Sequence, residues 1–287
     1  TTLFRSWVAG QITGQGRATY KNGAVYEGRF LGGTHDGMGV FTETTGYRYE
    51  GNWVAGKKSG KGKITYPDGT IYDGTLLDDQ PDGTGSLSAP TGLAYRGGWK
   101  LGKIDGTGQL TQANGDRYQG SFRAGLRHGT GSVVFANGDV YSGGFEQDLR
   151  AGQGVLTTKD GATYSGYWVQ GAQNGIGRLK YPDGSRYEGV VKNGIPQGQG
   201  RILYADGSSF TGNWQGGVPN GQGTATYVDG ARYLGTFLAA KPEGIGKMIY
   251  ADGLVHVGIW HDGLRHGFGI ATWPDGRAYR GGMVDYC

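Results

Sequence analysis

Apolar and polar residues alternate in short bursts along this chain, and the bursts return every 23 residues. Tyr26, Tyr49, Tyr72, Tyr95, Tyr118, Tyr141, Tyr164, Tyr187, Phe210, Tyr233, His256 and Tyr279 mark the period without insertion or deletion. Counting each unit from that residue, Trp or Phe recurs at +4, as in Trp53 and Trp214, and an aliphatic residue at +15, as in Ile64 and Ile202. A third aromatic column at +17 holds Tyr66, Phe135, Tyr181, Tyr204, Tyr227, Tyr250 and Trp273, among others. Positions 0, +2, +4 and again +11 to +17 have period two, so each unit predicts two short strands. One face of each strand carries rings and Gly, the other Glu, Arg, Lys, Thr, Asn and Gln. The Tyr-Pro-Asp-Gly segments from Tyr66 to Gly69 and from Tyr181 to Gly184 predict tight turns, Pro presetting one φ and Gly supplying the left-handed corner. The other connection, Val54 to Ser59, is richer in polar residues and is expected to be a longer loop.

Composition sharpens this pattern. Of 287 residues 62 are Gly, and 57 of those fall at +2, +7, +11, +13 and +20. Such a share excludes a conventional layered core, yet the Gly lack the every-third-residue repeat of collagen. The 35 aromatics exclude a disordered linker. Because Gly shares a face with the rings, an aromatic side chain can lie over bare backbone. The expected fold is all-β: an elongated, curved and twisted single-layer array of antiparallel hairpins without a helical layer. Residues 1–287 are expected to form one continuous array of about twelve units, with a degenerate first unit at 3–25 and an incomplete last one at 279–287.

The unit from Tyr49 to Ile71 reads YEGNWVAGKKSGKGKITYPDGTI and resembles a MORN repeat (membrane occupation and recognition nexus), whose pattern is YEGxWxxGxxxGxGxxxYxxG. Phe210 to Trp214, followed by Asn220-Gly221-Gln222-Gly223 and Tyr227-Val228-Asp229-Gly230, is similar to it too. The resemblance implies an elongated hairpin array and a scaffolding role: recruitment of partners, organisation of membrane-proximal or cytoskeletal structures, and binding of phospholipid. Departures include Leu76 and Val191 at +4, His256 at the start position, and Glu43, Gln112 and Thr158 at +17.

Candidate chemistry adds little. The net charge of +4 is spread among interspersed acids and bases, which argues against a nucleic-acid binder. The single Cys287 cannot close an internal disulfide. No apolar run reaches the roughly 20 residues of a membrane helix, and no signal-peptide pattern opens the chain. His35 at +9 and His128 and His266 at +10 read as loop residues. The five-residue spacings of His256, His261 and His266 match no zinc pattern, so no metal is expected. The repeated Gly-x-Gly is not followed by a helix, so no phosphate loop is expected. Asp68, Asp183 and Asp275 precede turn glycines, where a carboxylate bonds its own backbone. A non-catalytic, cofactor-free protein is the expectation.

The leading functional expectation is a scaffold whose aromatic groove takes a peptide or helix of a protein partner on Tyr49, Trp53, Tyr72, Trp99, Tyr164, Trp168, Tyr187, Trp214, Tyr233 and Trp260. A homodimer through the uncovered strand of the last unit, near Cys287, is a second. The alternative is recognition of an anionic phospholipid surface through Lys57, Lys58, Lys61 and Lys63, continued at +9 by Arg127, Arg150 and Arg265. The chain is expected to be soluble or peripheral to a membrane, in a compartment that composition leaves open.

Overall fold

The computed structural model describes the backbone of residues 3–4, 7–8 and 10–284 and the side chains of residues 10–282. It divides into two compact units, Thr1–Leu149 and Arg150–Cys287, and each is built from the same hairpin. The described residues contain no helix. In the unit that begins at Tyr49 the first strand is Arg48–Val54 and the second Lys57–Thr65. The next unit repeats both lengths in Ile71–Leu77 and Gln80–Ser88. The first repeat is irregular, with Gln11–Ile12 and Gly14–Thr19 in place of one long strand. The all-β array of antiparallel hairpins expected from the period is therefore present.

The two connections have exchanged character. Val54 pairs with Lys57, so the link expected to be a longer loop is a two-residue turn at Ala55 and Gly56. Their φ values, 48° and 84°, are those of the primed turn that matches strand twist. The extra residues of this segment are absorbed inside the sheet. Gly51 pairs with Gly62 but Trp53 pairs with Lys58, a bulge in which Gly60 takes φ 94°. The Tyr-Pro-Asp-Gly link is the longer of the two. Gly69 N donates to Tyr66 O at 2.9 Å and Tyr66 N to Thr70 O at 2.8 Å, closing a three-residue loop with Gly69 at φ 84°.

Successive hairpins are clipped together at the two-residue turns. Gly56 N donates to His35 O, Gly102 N to Pro81 O, Gly194 N to Gln173 O and Gly217 N to Pro196 O, all at 2.9–3.1 Å. Side chains at +10 add a second clip: Asp82 accepts from Leu101 N, Asp105 from Ala124 N, Asn174 from Asn193 N and Gln197 from Gly216 N. These bonds satisfy turn backbone that would otherwise face the edge unpaired.

The core is the ring-and-Gly face. A Cβ on Gly51 would come within 2.5 Å of the Tyr49 hydroxyl and of Gly62 Cα, and one on Gly62 would overlap the same ring. The Tyr ring thus lies flat on two glycines, one in its own strand and one in the partner strand. Its hydroxyl donates to the carbonyl at +3, Asn52 O, at 2.7 Å. Tyr26, Tyr72, Tyr95, Tyr118 and Tyr141 repeat that bond in the first unit of the molecule, and Tyr164, Tyr187 and Tyr233 in the second. Burial pushes the phenols of Tyr26 and Tyr233 up to about 12. The ring at +4 stands edge-on to its own Tyr and to the Tyr before it: Trp53 is 5.1 Å from Tyr49 and 5.5 Å from Tyr26. Burying each ring contributes about 1.5–3 kcal/mol, and each edge-to-face pair about 0.5–1.5 kcal/mol more.

Candidate protein-interaction surfaces

The ten rings expected to line an open groove are all buried, with 8% or less of their surface exposed. They are the core itself. The side chains at +9 help to close them off. Lys58 Nζ lies 5.2 and 5.7 Å over the rings of Tyr47 and Tyr49, and the Arg150 guanidinium 4.1 Å over Trp168. Pro196, Pro219 and Pro242 hold the same position and are buried.

The cationic residues considered for a lipid headgroup do not share one face. Lys57 pairs with Asp78 at 3.3 Å and Lys58 with Asp79 at 3.9 Å. Lys63 stands on the opposite face of the sheet, across from Glu50 in one ladder and Asp73 in the next. Lys61 lines a shallow polar depression there with Asp73, Thr75, Thr84 and Arg96. Arg127 is held by Asp148 at 3.1 Å and lies over Phe145, while Arg265 stands opposite Trp260. The stripe at +9 is thus largely turned to rings and carboxylates. The described residues hold no cluster of acids and imidazoles suited to a metal ion, and no helix long and apolar enough to cross a membrane.

Asp68, Asp183 and Asp275 behave as their place before turn Gly predicts, accepting from Thr70 N, Ser185 N and Arg277 N at 2.8–3.0 Å. Backbone and hydroxyl donors from Thr70 hold the Asp68 carboxyl below its ordinary value. Hydroxyl and backbone donors from Ser208 do the same for Asp206.

Two surfaces remain that the core does not use. The first is the outer face, opposite the rings. In residues 150–287 it carries Ile245, Val257, Ile259 and Phe268, exposed by 75, 42, 42 and 62%. Ile245 pairs directly with Ile259, and Val257 with Ile270, so these side chains adjoin. Lys247 and Arg280 sit opposite Val257 and Ile270. A smaller apolar group, Tyr167, Ile176 and Val190, lies on the same face of that unit. These positions have no column in the repeat pattern. Only a list of apolar residues out of phase with the core could have pointed to them.

The second surface is the edge formed by the three-residue loops. There residues 150–287 carry Tyr181, Tyr204, Tyr227, Tyr250 and Trp273 in five consecutive repeats, partly exposed. Residues 1–149 break the same column with Glu43, Ala89 and Gln112.

Comparison with known proteins agrees with the period. A family model of the MORN repeat matches residues 6–25 and 26–46 and ten further segments from 49–71 to 256–276. Comparison with curated proteins returns no match. Among solved structures, the TCP10 domain of Danio rerio CPAP in complex with a peptide of Danio rerio STIL is 13% identical, with 94% of this chain and 96% of that one covered and a TM-score of 0.32. The TCP domain of Drosophila melanogaster SAS-4, in complex with a proline-rich motif of Ana2, is 15% identical over 63% of this chain and 86% of that one, with a TM-score of 0.27. Virginiamycin B lyase from Staphylococcus aureus is 9% identical over 99% of both chains, with a TM-score of 0.15. The twelve matched segments cover the repeats already visible in the Tyr, Trp and Gly columns, and the chain belongs to the MORN repeat family.

Proposed function

We propose that this chain is a non-catalytic repeat scaffold that holds a protein partner on side chains its core leaves uncovered. The observation that carries the reading is the outer face of residues 150–287. Ile245 and Ile259 are large, exposed and directly paired, and Phe268 on the next strand is exposed too, on a face that otherwise needs only polar residues. Contiguous exposed apolar surface of this kind marks interaction sites in soluble proteins. Lys247 and Arg280 border the patch, so its complement is a segment that brings apolar side chains flanked by carboxylates. A second copy of the chain would set those cations against each other.

The test is Ile245→Ser with Phe268→Ser, two exposed positions whose change leaves the ring core intact. Cross-linking from the wild-type patch is expected to recover an acidic-apolar segment that the double variant loses, while Lys61→Gln with Lys63→Gln retains it. Undiminished recovery by the double variant overturns the reading. Concentration-dependent mass in light scattering would assign the patch to self-association instead. Flotation with anionic vesicles that Lys61→Gln with Lys63→Gln abolishes would favour the phospholipid alternative.

A further inference from the structure

The loop edge of residues 150–287 has a geometry that the outer face lacks. Consecutive loops here are separated by two strands, which places equivalent residues about 9.6 Å apart. A polyproline-II helix repeats every three residues, about 9.3 Å. The rings of Tyr181, Tyr204, Tyr227, Tyr250 and Trp273 therefore recur at nearly the pitch of that helix.

The residues between the rings are small where the row begins. Ser185 and Ala231 are buried to 3 and 4% exposure, and Ser208 occupies the equivalent place between them. Ser185 Oγ accepts from Ala205 N at 3.2 Å, which joins one loop to the next. A shallow depression lies between these two loops, lined by Asp183, Ser185, Tyr204, Ala205, Asp206 and Ser208. The gap between the loops of Tyr181 and Tyr204 is thus a slot with a low floor, and Ser208 and Ala231 keep the next two positions small.

The hydrogen-bonding state of these rings also differs from that of the core. Core Tyr hydroxyls are donated to the carbonyl at +3. Among the described residues, the hydroxyls of Tyr181, Tyr204 and Tyr227 have no protein partner, so each can donate to a bound chain. A polyproline-II helix has no internal hydrogen bonds and presents its carbonyls outward. Beside the rings stand Asp183, Asp206, Asp229 and Asp252, all exposed. Each accepts from the backbone N–H two residues on, Asp183 and Asp206 also from the serine hydroxyl there, and each carboxylate stays exposed to solvent.

We propose that this edge is a docking site for a proline-rich segment in the polyproline-II conformation that carries Lys or Arg, its proline rings seated between successive aromatic rings and its cations meeting the aspartates. Aromatic-lined grooves recognise proline-rich chains because the extended helix is preformed and loses little entropy on binding. The site is separate from the outer face and stands or falls independently of it.

The test uses the full chain and a fluorescent peptide of four Pro-Pro-Lys triplets, read by anisotropy. Wild type is expected to bind it, and a Gly-Ser-Lys peptide of equal length and charge to bind at least tenfold more weakly. Tyr204→Ala with Tyr227→Ala is expected to lose at least tenfold in affinity, while Tyr66→Ala in residues 1–149 changes nothing. Asp206→Asn with Asp229→Asn keeps the turn acceptors, so its fold is preserved, and is expected to lose threefold or more and most of the salt dependence. Equal binding of the two peptides, no binding of either, or full affinity in both double variants overturns the proposal. None of these results bears on cross-linking from the Ile245 patch.

Discussion

Residues 1–149 and 150–287 share one core and differ at its rims. In the first unit every start position from Tyr26 to Tyr141 is a Tyr whose hydroxyl closes on the carbonyl at +3. In the second, Phe210 and His256 interrupt that series. At +9 the first unit includes His35, Lys58 and Arg127 over its rings, whereas the second has three consecutive buried Pro. At +17 the relation reverses: after Thr158 the second unit keeps five consecutive aromatic residues, whereas Glu43, Ala89 and Gln112 interrupt the first. What the two have in common holds the sheet together, and what separates them is available for recognition.

The largest effect should be the same in both units. Gly62→Ala and Gly200→Ala each place a methyl inside the Tyr ring of their own hairpin, Tyr49 or Tyr187. Each is expected to cost about 3 kcal/mol, seen as a drop in melting temperature by tryptophan fluorescence. A mild effect in one unit alone would break the equivalence of the cores. Next comes +9, where the units should part. Arg127→Ala removes an ion pair, a bond to Asp148 O at 2.9 Å and a cation over Phe145, a loss of about 1–2 kcal/mol that shrinks at high salt. Pro219→Ala should be indifferent to salt, and equal salt dependence of the two would remove the distinction.

Smaller changes sharpen it further. Phe210→Tyr and His256→Tyr should each restore a hydroxyl bond to the carbonyl at +3 and raise stability by about 1 kcal/mol; an unchanged melting temperature would show that the bond contributes nothing there. The smallest effect concerns His35, whose ring stacks on Tyr26 at 3.6 Å and whose pKa burial lowers. The unfolded chain then takes up the proton before the folded one does. Stability from this group is full above pH of about 6.5 and is lost as pH falls from there toward the folded value. A melting curve measured from pH 7.5 downward should fall more steeply for wild type than for His35→Phe, and parallel curves would dismiss the contribution.

Much of this was legible in the chain because Gly and aromatic residues have few substitutes where a ring must lie on backbone. The columns at 0, +2, +4 and +13 could be read as a packed face, and Asp68 and Asp183 as turn acceptors. The two-residue turn was not legible, since its first corner is filled by Ala55, Leu101, Gln170 or Asp262 at φ 48–52°, residues that ordinarily avoid that conformation. Gly60 looked like another ring-facing Gly but serves a bulge. The burial of Tyr49, Trp53 and their equivalents was hidden for a related reason. It depends on neighbouring rings and on +9 side chains brought over them by that bulge, a relation between positions that no single column displays. The apolar patch around Ile245 breaks the repeat, and a reading built on repetition passes over it.

The clips between successive turns set how this fold can be made. The bond from Gly56 to His35, like that from Gly217 to Pro196, joins residues 21 apart, and strands such as Arg48–Val54, Lys57–Thr65 and Ile71–Leu77 pair with their neighbours in sequence. A hairpin leaving the ribosome finds its whole docking surface in the hairpin synthesised just before it. Growth can then keep step with translation, without the long-range search that slows most β proteins.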